Sequence, residues 1–105
     1  MSDLIDVCRE DELPPGAVRT VEWEDLEIMV VNCAGELLAM EDRCSHDDGP
    51  LYEGDVDVAK CTVECPRHGS LFDLRSGKPL TLPAYQAVET FPVVVADGVV
   101  RVEVD

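Results

Sequence analysis

The chain has 105 residues, of which 46% are hydrophobic, and sets 8 Lys and Arg against 23 Asp and Glu, for a net charge of −15 and a pI near 4.2. That length allows one domain with a single core, that charge repels nucleic acid and anionic membranes, and no apolar run approaches the roughly 20 residues needed to span a bilayer. A soluble, cytoplasmic protein without a membrane anchor is expected; its acidity suits a partner with a basic docking surface, or equally solubility or a salty or hot habitat, and charge alone does not choose.

Short β-branched runs separated by turn signals fill the sequence, and apolar residues at helical spacing never persist beyond about two turns. The predicted strands are 4–9, 17–23, 26–32, 36–41, 58–64, 71–73, 87–95 and 99–104. Turns are predicted at Pro14-Pro15-Gly16, Asn32-Cys33-Ala34-Gly35, Ser76-Gly77-Lys78-Pro79 and Ala96-Asp97-Gly98, where Gly supplies positive φ and Pro fixes the bend. Such spacing means an all-β fold, a small antiparallel sandwich or barrel. Residues 42–83 interrupt the rhythm with short strands and a high share of Gly and Pro, and read as a subdomain inserted in the β base. Trp23, Met29 and Met40 lie on predicted strands and belong to the core.

An odd number of cysteines, five, in a chain without a secretory signal argues against a disulfide framework. Cys8 sits in an apolar run and packs as a small hydrophobe. Cys33 lies in a turn, where exposure is open to it. Cys61 stands four residues before Cys65, a spacing that metal ligands also use. However, Ala59, Cys61, Val63 and Cys65 alternate with Lys60, Thr62 and Glu64 as a half-buried strand would, so Cys61 is assigned to the core.

The chemistry concentrates in Cys44-Ser45-His46 and, eighteen residues later (47–64), Cys65-Pro66-Arg67-His68. Each segment offers one thiolate and one imidazole, and both histidines of the chain are used. A Cys₂His₂ set suits tetrahedral zinc; it also suits a pair of irons, one held by two thiolates and the other by two imidazoles, so that each loop grips both. With Asp47-Asp48-Gly49-Pro50-Leu51 after the first segment and Gly69-Ser70-Leu71-Phe72-Asp73 after the second, the chain resembles the Rieske iron-sulfur family, and among its members the soluble ferredoxins. The likeness covers almost the whole chain, including Ser76-Gly77-Lys78-Pro79-Leu80 and Leu82-Pro83-Ala84.

The resemblance implies one [2Fe-2S] cluster per chain, with Cys44, His46, Cys65 and His68 as ligands and Ser70, Phe72 and Pro83 beside the cofactor. The formal charges of two ferric irons, two sulfides and two thiolates cancel, whereas a four-thiolate cluster starts as a dianion. Rieske centres accordingly lie at roughly −150 to +300 mV against about −400 mV for plant-type ferredoxins. High-potential members carry an extra Cys at the position of Arg67, bonded to one at the position of Gly49, and a Tyr at the position of Phe72. Their absence implies no inter-loop disulfide and a lower potential. Ser70 is placed to hydrogen-bond a cluster sulfide, or else loop backbone. Asp47 and Asp48 either oppose an incoming electron or point to solvent as a polar rim.

With both histidines taken, none remains for the mononuclear iron of the oxygenases, and the chain has no Gly-x-Gly-x-x-Gly motif. The implied function is therefore that of a carrier and not an enzyme, passing single electrons from a flavin-dependent reductase to a terminal aromatic-ring oxygenase. Two other implied roles are the small subunit of an assimilatory nitrite reductase, which often lacks the ligands present here, and a redox-sensing or iron-sulfur-assembly protein.

Overall fold

The run from Leu26 to Cys33 is nearly continuous in apolar side chains, the pattern of a strand covered on both faces. In the computed structural model, which describes residues 3–45 and 48–104, this run is β3 and is buried from Ile28 to its end. The other strands are β1 Asp3–Arg9, β2 Val18–Trp23, β4 Glu36–Glu41, β5 Val56–Asp57, β6 Thr62–Glu64, β7 Leu71–Asp73, β8 Thr90–Phe91, β9 Val93–Ala96 and β10 Val99–Val104, with one 3-10 turn at Glu10–Glu12 and no α-helix among the described residues. They form three antiparallel sheets, ordered β1-β10-β9, β2-β3-β4-β8 and β5-β6-β7.

The second sheet stands between two cores, and strand parity decides which residue serves which. Ile28 and Val30 of β3 and Ala39 of β4 join Val100, Val102 and Val104 in the base core. Met29, Val31 and Cys33, with Met40, point the other way into a core shared with Cys44, Leu51, Cys61, Val63, Cys65, Phe72, Leu74 and Ala84. At roughly 1.5–3 kcal/mol per fully buried aliphatic side chain, β3 is the strand whose loss costs most. Met29 and Met40, paired across β3 and β4, are fully buried as expected, and Trp23 is half-buried against the base core.

The hairpins follow the turn signals. Ala34 and Gly35 join β3 to β4, and Asp97 and Gly98 join β9 to β10, each pair with both φ positive (54° and 101°, 55° and 76°), the two-residue turn whose twist matches the strands. Two predicted strands are corrected. The segment 87–95 breaks at Pro92, which has no N–H to give a ladder; β8 before it pairs with β4, and β9 after it pairs with β10, so the chain changes sheets there. The segment 58–64 is strand only from Thr62, because the Asp57 carboxylate accepts hydrogen bonds from the Ala59 and Lys60 amides (3.0 and 3.2 Å) and folds 58–61 into a turn. Val56–Asp57, unpredicted, supplies the third strand of the small sheet.

Cys61 is a core residue as expected, but it sits in the 58–61 turn and not on a strand, and the expectation of no disulfide is corrected. Cys33 ends β3 buried, and Cys61, at φ 54°, faces it from the turn. The two form a disulfide with a Cα–Cα distance of 5.8 Å. Counting cysteines missed this bond because the pairing depends on β3 parity and on a left-handed residue, neither of which an odd total reveals.

Candidate metal centre

The two cysteine loops are built on one backbone pattern. In the first, the Cys44 amide donates to the Gly49 carbonyl and the Asp48 amide donates to the Cys44 carbonyl, both at 2.7 Å. In the second, the Cys65 amide donates to the Ser70 carbonyl at 2.8 Å and the Gly69 amide to the Cys65 carbonyl at 2.9 Å. The residue four places after each cysteine is left-handed, Asp48 at φ 62° and Gly69 at 77°. Asp is among the few non-glycine residues that tolerate this region. The expected imidazole falls two residues after the cysteine in one loop and three in the other.

Both thiols are fully buried in the same apolar core, whereas His68 is exposed at the tip of its loop. Phe72 is fully buried in that core and Ser70 is buried beside it. Pro83, half-buried, follows a cis Leu82-Pro83 bond. His46 and Asp47 lie outside the described residues. The structure thus brings Cys44, Cys65 and Phe72 into one core, with Ser70 beside the second cysteine loop. Two thiols closed off from water, with the His68 imidazole at the surface, are donor types that fit a metal centre of mixed sulfur and nitrogen ligands.

Each loop has its own brace. Asp42 Oδ1 accepts from the Leu51 amide at 2.7 Å and the Tyr52 amide at 2.8 Å, closing the first loop from behind. Burial pushes the Asp42 carboxyl above its ordinary pKa, with Glu27 and Glu53 adding to the effect, against the pull of the two amides. Arg43 pairs with Asp48 at 2.8 Å and with Glu41 at 3.4 Å. The Asp48 carboxylate is therefore solvent-facing and compensated by Arg43, which decides between the two readings of that residue in favour of the polar rim.

The second loop uses hydroxyls. Ser70 Oγ accepts from the Ala84 amide at 3.0 Å, and Thr81 Oγ1 from the Leu71 amide at 2.9 Å. Ser70 has its backbone bond through oxygen and keeps its proton to donate. Residues 80–86 also reach the first loop, where Ser45 Oγ donates to the Gln86 carbonyl at 2.5 Å. This third segment exposes Leu80, Leu82 and Tyr85, the last two to more than 70%.

Gly54 joins the two loops. A Cβ there would lie 1.8 Å from the Glu64 carbonyl oxygen, next to Cys65, and 3.1 Å from that of Leu51. Sequence reading did not single out Asp42, Gly54, Thr81 or Ser45; each acts through backbone partners distant in the chain, and periodicity carries no sign of them.

The description "Rieske [2Fe-2S] domain" matches residues 3–92. The chain is 44% identical over 104 residues, covering 99% of itself and 96% of the relative, to the 3-phenylpropionate/cinnamic acid dioxygenase ferredoxin subunit of Photorhabdus laumondii. It is 37% identical to the subunit of that name in Escherichia coli K12, over 87% of this chain and 84% of the other. Among solved structures it is similar to the ferredoxin of carbazole 1,9a-dioxygenase from Nocardioides aromaticivorans IC177, with a TM-score of 0.89 and 31% identity over 94% of this chain and 95% of that one. It is similar also to a chain in the complex of reduced oxygenase and oxidized ferredoxin of carbazole 1,9a-dioxygenase, with a TM-score of 0.88 and 31% identity over 94% and 91%.

Proposed function

Because the chain belongs to the Rieske [2Fe-2S] domain family, we propose that it is the ferredoxin component of an aromatic-ring dioxygenase system, taking single electrons from a flavin-dependent reductase and giving them to the terminal oxygenase. The observation that carries this reading is the pair of matching loops, each with a buried thiol and a sequence-adjacent imidazole. Cys44, His46, Cys65 and His68 would hold the cluster, within a unit spanning residues 42–83. The cluster, when bound, supplies the one-electron chemistry at a potential above that of four-thiolate ferredoxins.

The protein's own residues do the rest. Leu51, Val63, Phe72 and Ala84 pack around Cys44 and Cys65 and exclude water from the sulfurs. Ser70, whose oxygen accepts from the Ala84 amide, has a hydroxyl proton to give to a cluster sulfur, and such donors would favour the more negative, reduced state. His68 stands exposed where a partner can approach it. Glu22, Glu24, Asp25, Glu27 and Asp48 line a depression beside the first loop, and Leu80, Leu82 and Tyr85 lie exposed beside the second. A depression lined mainly by carboxylates, with Arg43 among them, and separately exposed apolar side chains fit partners with basic docking surfaces. No helix among the described residues is long and apolar enough to cross a membrane, and the reading places the protein in the cytoplasm with its reductase and oxygenase.

The test is stopped-flow mixing of the reduced protein with the oxidised terminal component of an aromatic-ring dioxygenase. Transfer is expected, and it should slow as salt rises from about 0.05 to 0.5 M, where the Debye length shrinks to a few ångströms. Transfer that ignores salt would assign the acidity to solubility and the docking to the apolar patch. A protein with full iron and sulfide that passes no electron would overturn the carrier assignment.

A further inference from the structure

The cysteine pair outside the metal centre occupies a mechanically sensitive position. Cys33 ends β3 of the base, and Cys61 begins the run Thr62-Val63-Glu64 that leads directly into Cys65. The disulfide therefore fastens the strand that carries the second loop to the sheet beneath it, closing 28 residues of sequence separation. Both residues are nearly fully buried, at 2% and 3% exposure, yet the turn of Val58, Ala59 and Lys60, all exposed, leads into Cys61. The Val58 carbonyl oxygen lies 3.2 Å from Cys33 Sγ and 3.8 Å from Cys61 Sγ. It is an acceptor ready for the thiols that reduction would produce, so either oxidation state can be accommodated without leaving an unsatisfied buried donor. In a reducing compartment a bond of this kind is usually transient or redox-sensing.

We propose that Cys33 and Cys61 are a reversible thiol–disulfide site, exchanged by a glutathione-type thiol couple, whose oxidised form secures the second loop and slows loss of the cluster. A glutathione thiolate attacks one cysteine sulfur, the Cys33–Cys61 bond breaks, and the other sulfur leaves as a thiolate that takes a proton. A second glutathione then attacks the mixed disulfide, releases the remaining cysteine thiol and forms glutathione disulfide. Two electrons pass to the pair and two glutathione sulfurs are oxidised; a one-electron carrier does not supply that pair itself. Exchange waits on opening of the 58–61 turn. The first half of the proposal is independent of the cluster assignment, and the second half rests on it.

The holoprotein is equilibrated in glutathione buffers from oxidising to reducing, quenched in acid, alkylated in denaturant and mapped by peptide mass spectrometry. Cys33 and Cys61 are expected to be blocked together at oxidising ratios and alkylated together at reducing ones, with Cys8 alkylated throughout. In parallel, absorbance follows cluster release to an iron chelator. Release should be severalfold faster in the reduced form, and a Cys33→Ser/Cys61→Ser variant should release at that faster rate in both buffers. Thiols at every ratio, or a bond that persists at every ratio, would overturn the reversible site, and equal release rates from the two wild-type forms would overturn the latch. Absence of iron and sulfide would instead count against the cluster assignment, leaving the alkylation result to decide the pair.

Discussion

The two cysteine loops share a backbone pattern and a hydroxyl tie to the 80–86 segment, and differ in what else holds them. The first is fixed by carboxyl groups: a buried Asp42 oxygen that accepts two amides behind it and the Arg43–Asp48 ion pair at its side. The second is fixed by neutral groups: Ser70 and Thr81 hydroxyls against the 80–86 segment, and the Cys33–Cys61 bond below. The hydrogen-bonded path sets the geometry, and the environment chooses the means. The first loop leaves the end of β4 on the acidic side, where Arg43 has Glu41 and Asp48 as neighbours. The second hangs from a small sheet with an exposed tip, but its Ser70 brace is fully buried, where an uncompensated charge would carry a heavy desolvation cost.

Breaking either loop's proposed ligand pair should have the largest effect and erase the difference between them. His46→Ala and His68→Ala are each expected to abolish the native visible spectrum and empty the site of iron and sulfide, as chemical assay would check. If one of the two kept a full cluster, the loops would not be equal partners.

Gly54 tests how the loops are kept in register. Gly54→Ala drives a methyl group into the Glu64 carbonyl, and the cost is expected to be about 3 kcal/mol, the upper end of overpacking penalties, read from urea midpoints. Gly77→Ala, which meets the Val88 carbonyl at 2.2 Å, should also destabilise, but without the accompanying loss of iron, since Gly77 lies outside both loops.

Asp42 should separate the charged brace from the neutral one by pH. Asp42→Ala removes the acceptor of two amides and is expected to cost about 2 kcal/mol. Asp42→Asn keeps a carbonyl oxygen for both. The raised pKa means that the folded state holds the Asp42 proton more tightly than the unfolded chain, so its contribution is most favourable below the ordinary carboxylate value of 3.8 and declines as pH rises through the raised one. Asp42→Asn should therefore match the wild type in acid and gain on it toward neutrality. Ser70→Ala, in the uncharged brace, should show an offset that pH does not change.

The smallest effects are on potential. The wild-type midpoint is expected between roughly −150 and 0 mV, the lower half of the Rieske range. Phe72→Tyr should raise it by on the order of tens of millivolts, and Ser70→Ala lower it similarly, because only the difference in hydrogen bonding between redox states appears as a shift. Film voltammetry reads both. A wild-type value well above zero would remove the low-potential assignment, and an unchanged midpoint in Ser70→Ala would leave that hydroxyl with the Ala84 amide alone.

Much of this was legible in the chain itself. Alternation placed β1 to β4, β7 and β10 within a residue or so, because those strands pack one face or both on a core and periodicity records burial. The Cys-x-His and Cys-x-x-His spacing pointed to the two loops that share a backbone pattern, since a local motif is written in neighbouring residues. Legibility failed where the cause was distant or stereochemical. The alternation of residues 59–65 imitated a strand that the Asp57 side chain converts to a turn. Cys33 and Cys61 meet only once β3 has chosen its faces. The Asp48 carboxylate acquired its compensating charge from Arg43, five residues earlier, through a loop whose closure no pattern announces.

The central claim is that the two loops act as one site in which ligands are sorted by type, thiolates on one iron and imidazoles on the other. Mössbauer spectroscopy of the ⁵⁷Fe-enriched protein, with iron, sulfide and zinc assayed on the same sample, tests it most directly. The expected result is two irons and two sulfides per chain, with the irons in two unlike environments in equal amount. A single kind of iron would mean that each loop holds its own metal by one Cys and one His, and one zinc per chain without sulfide would replace the redox centre with a structural one.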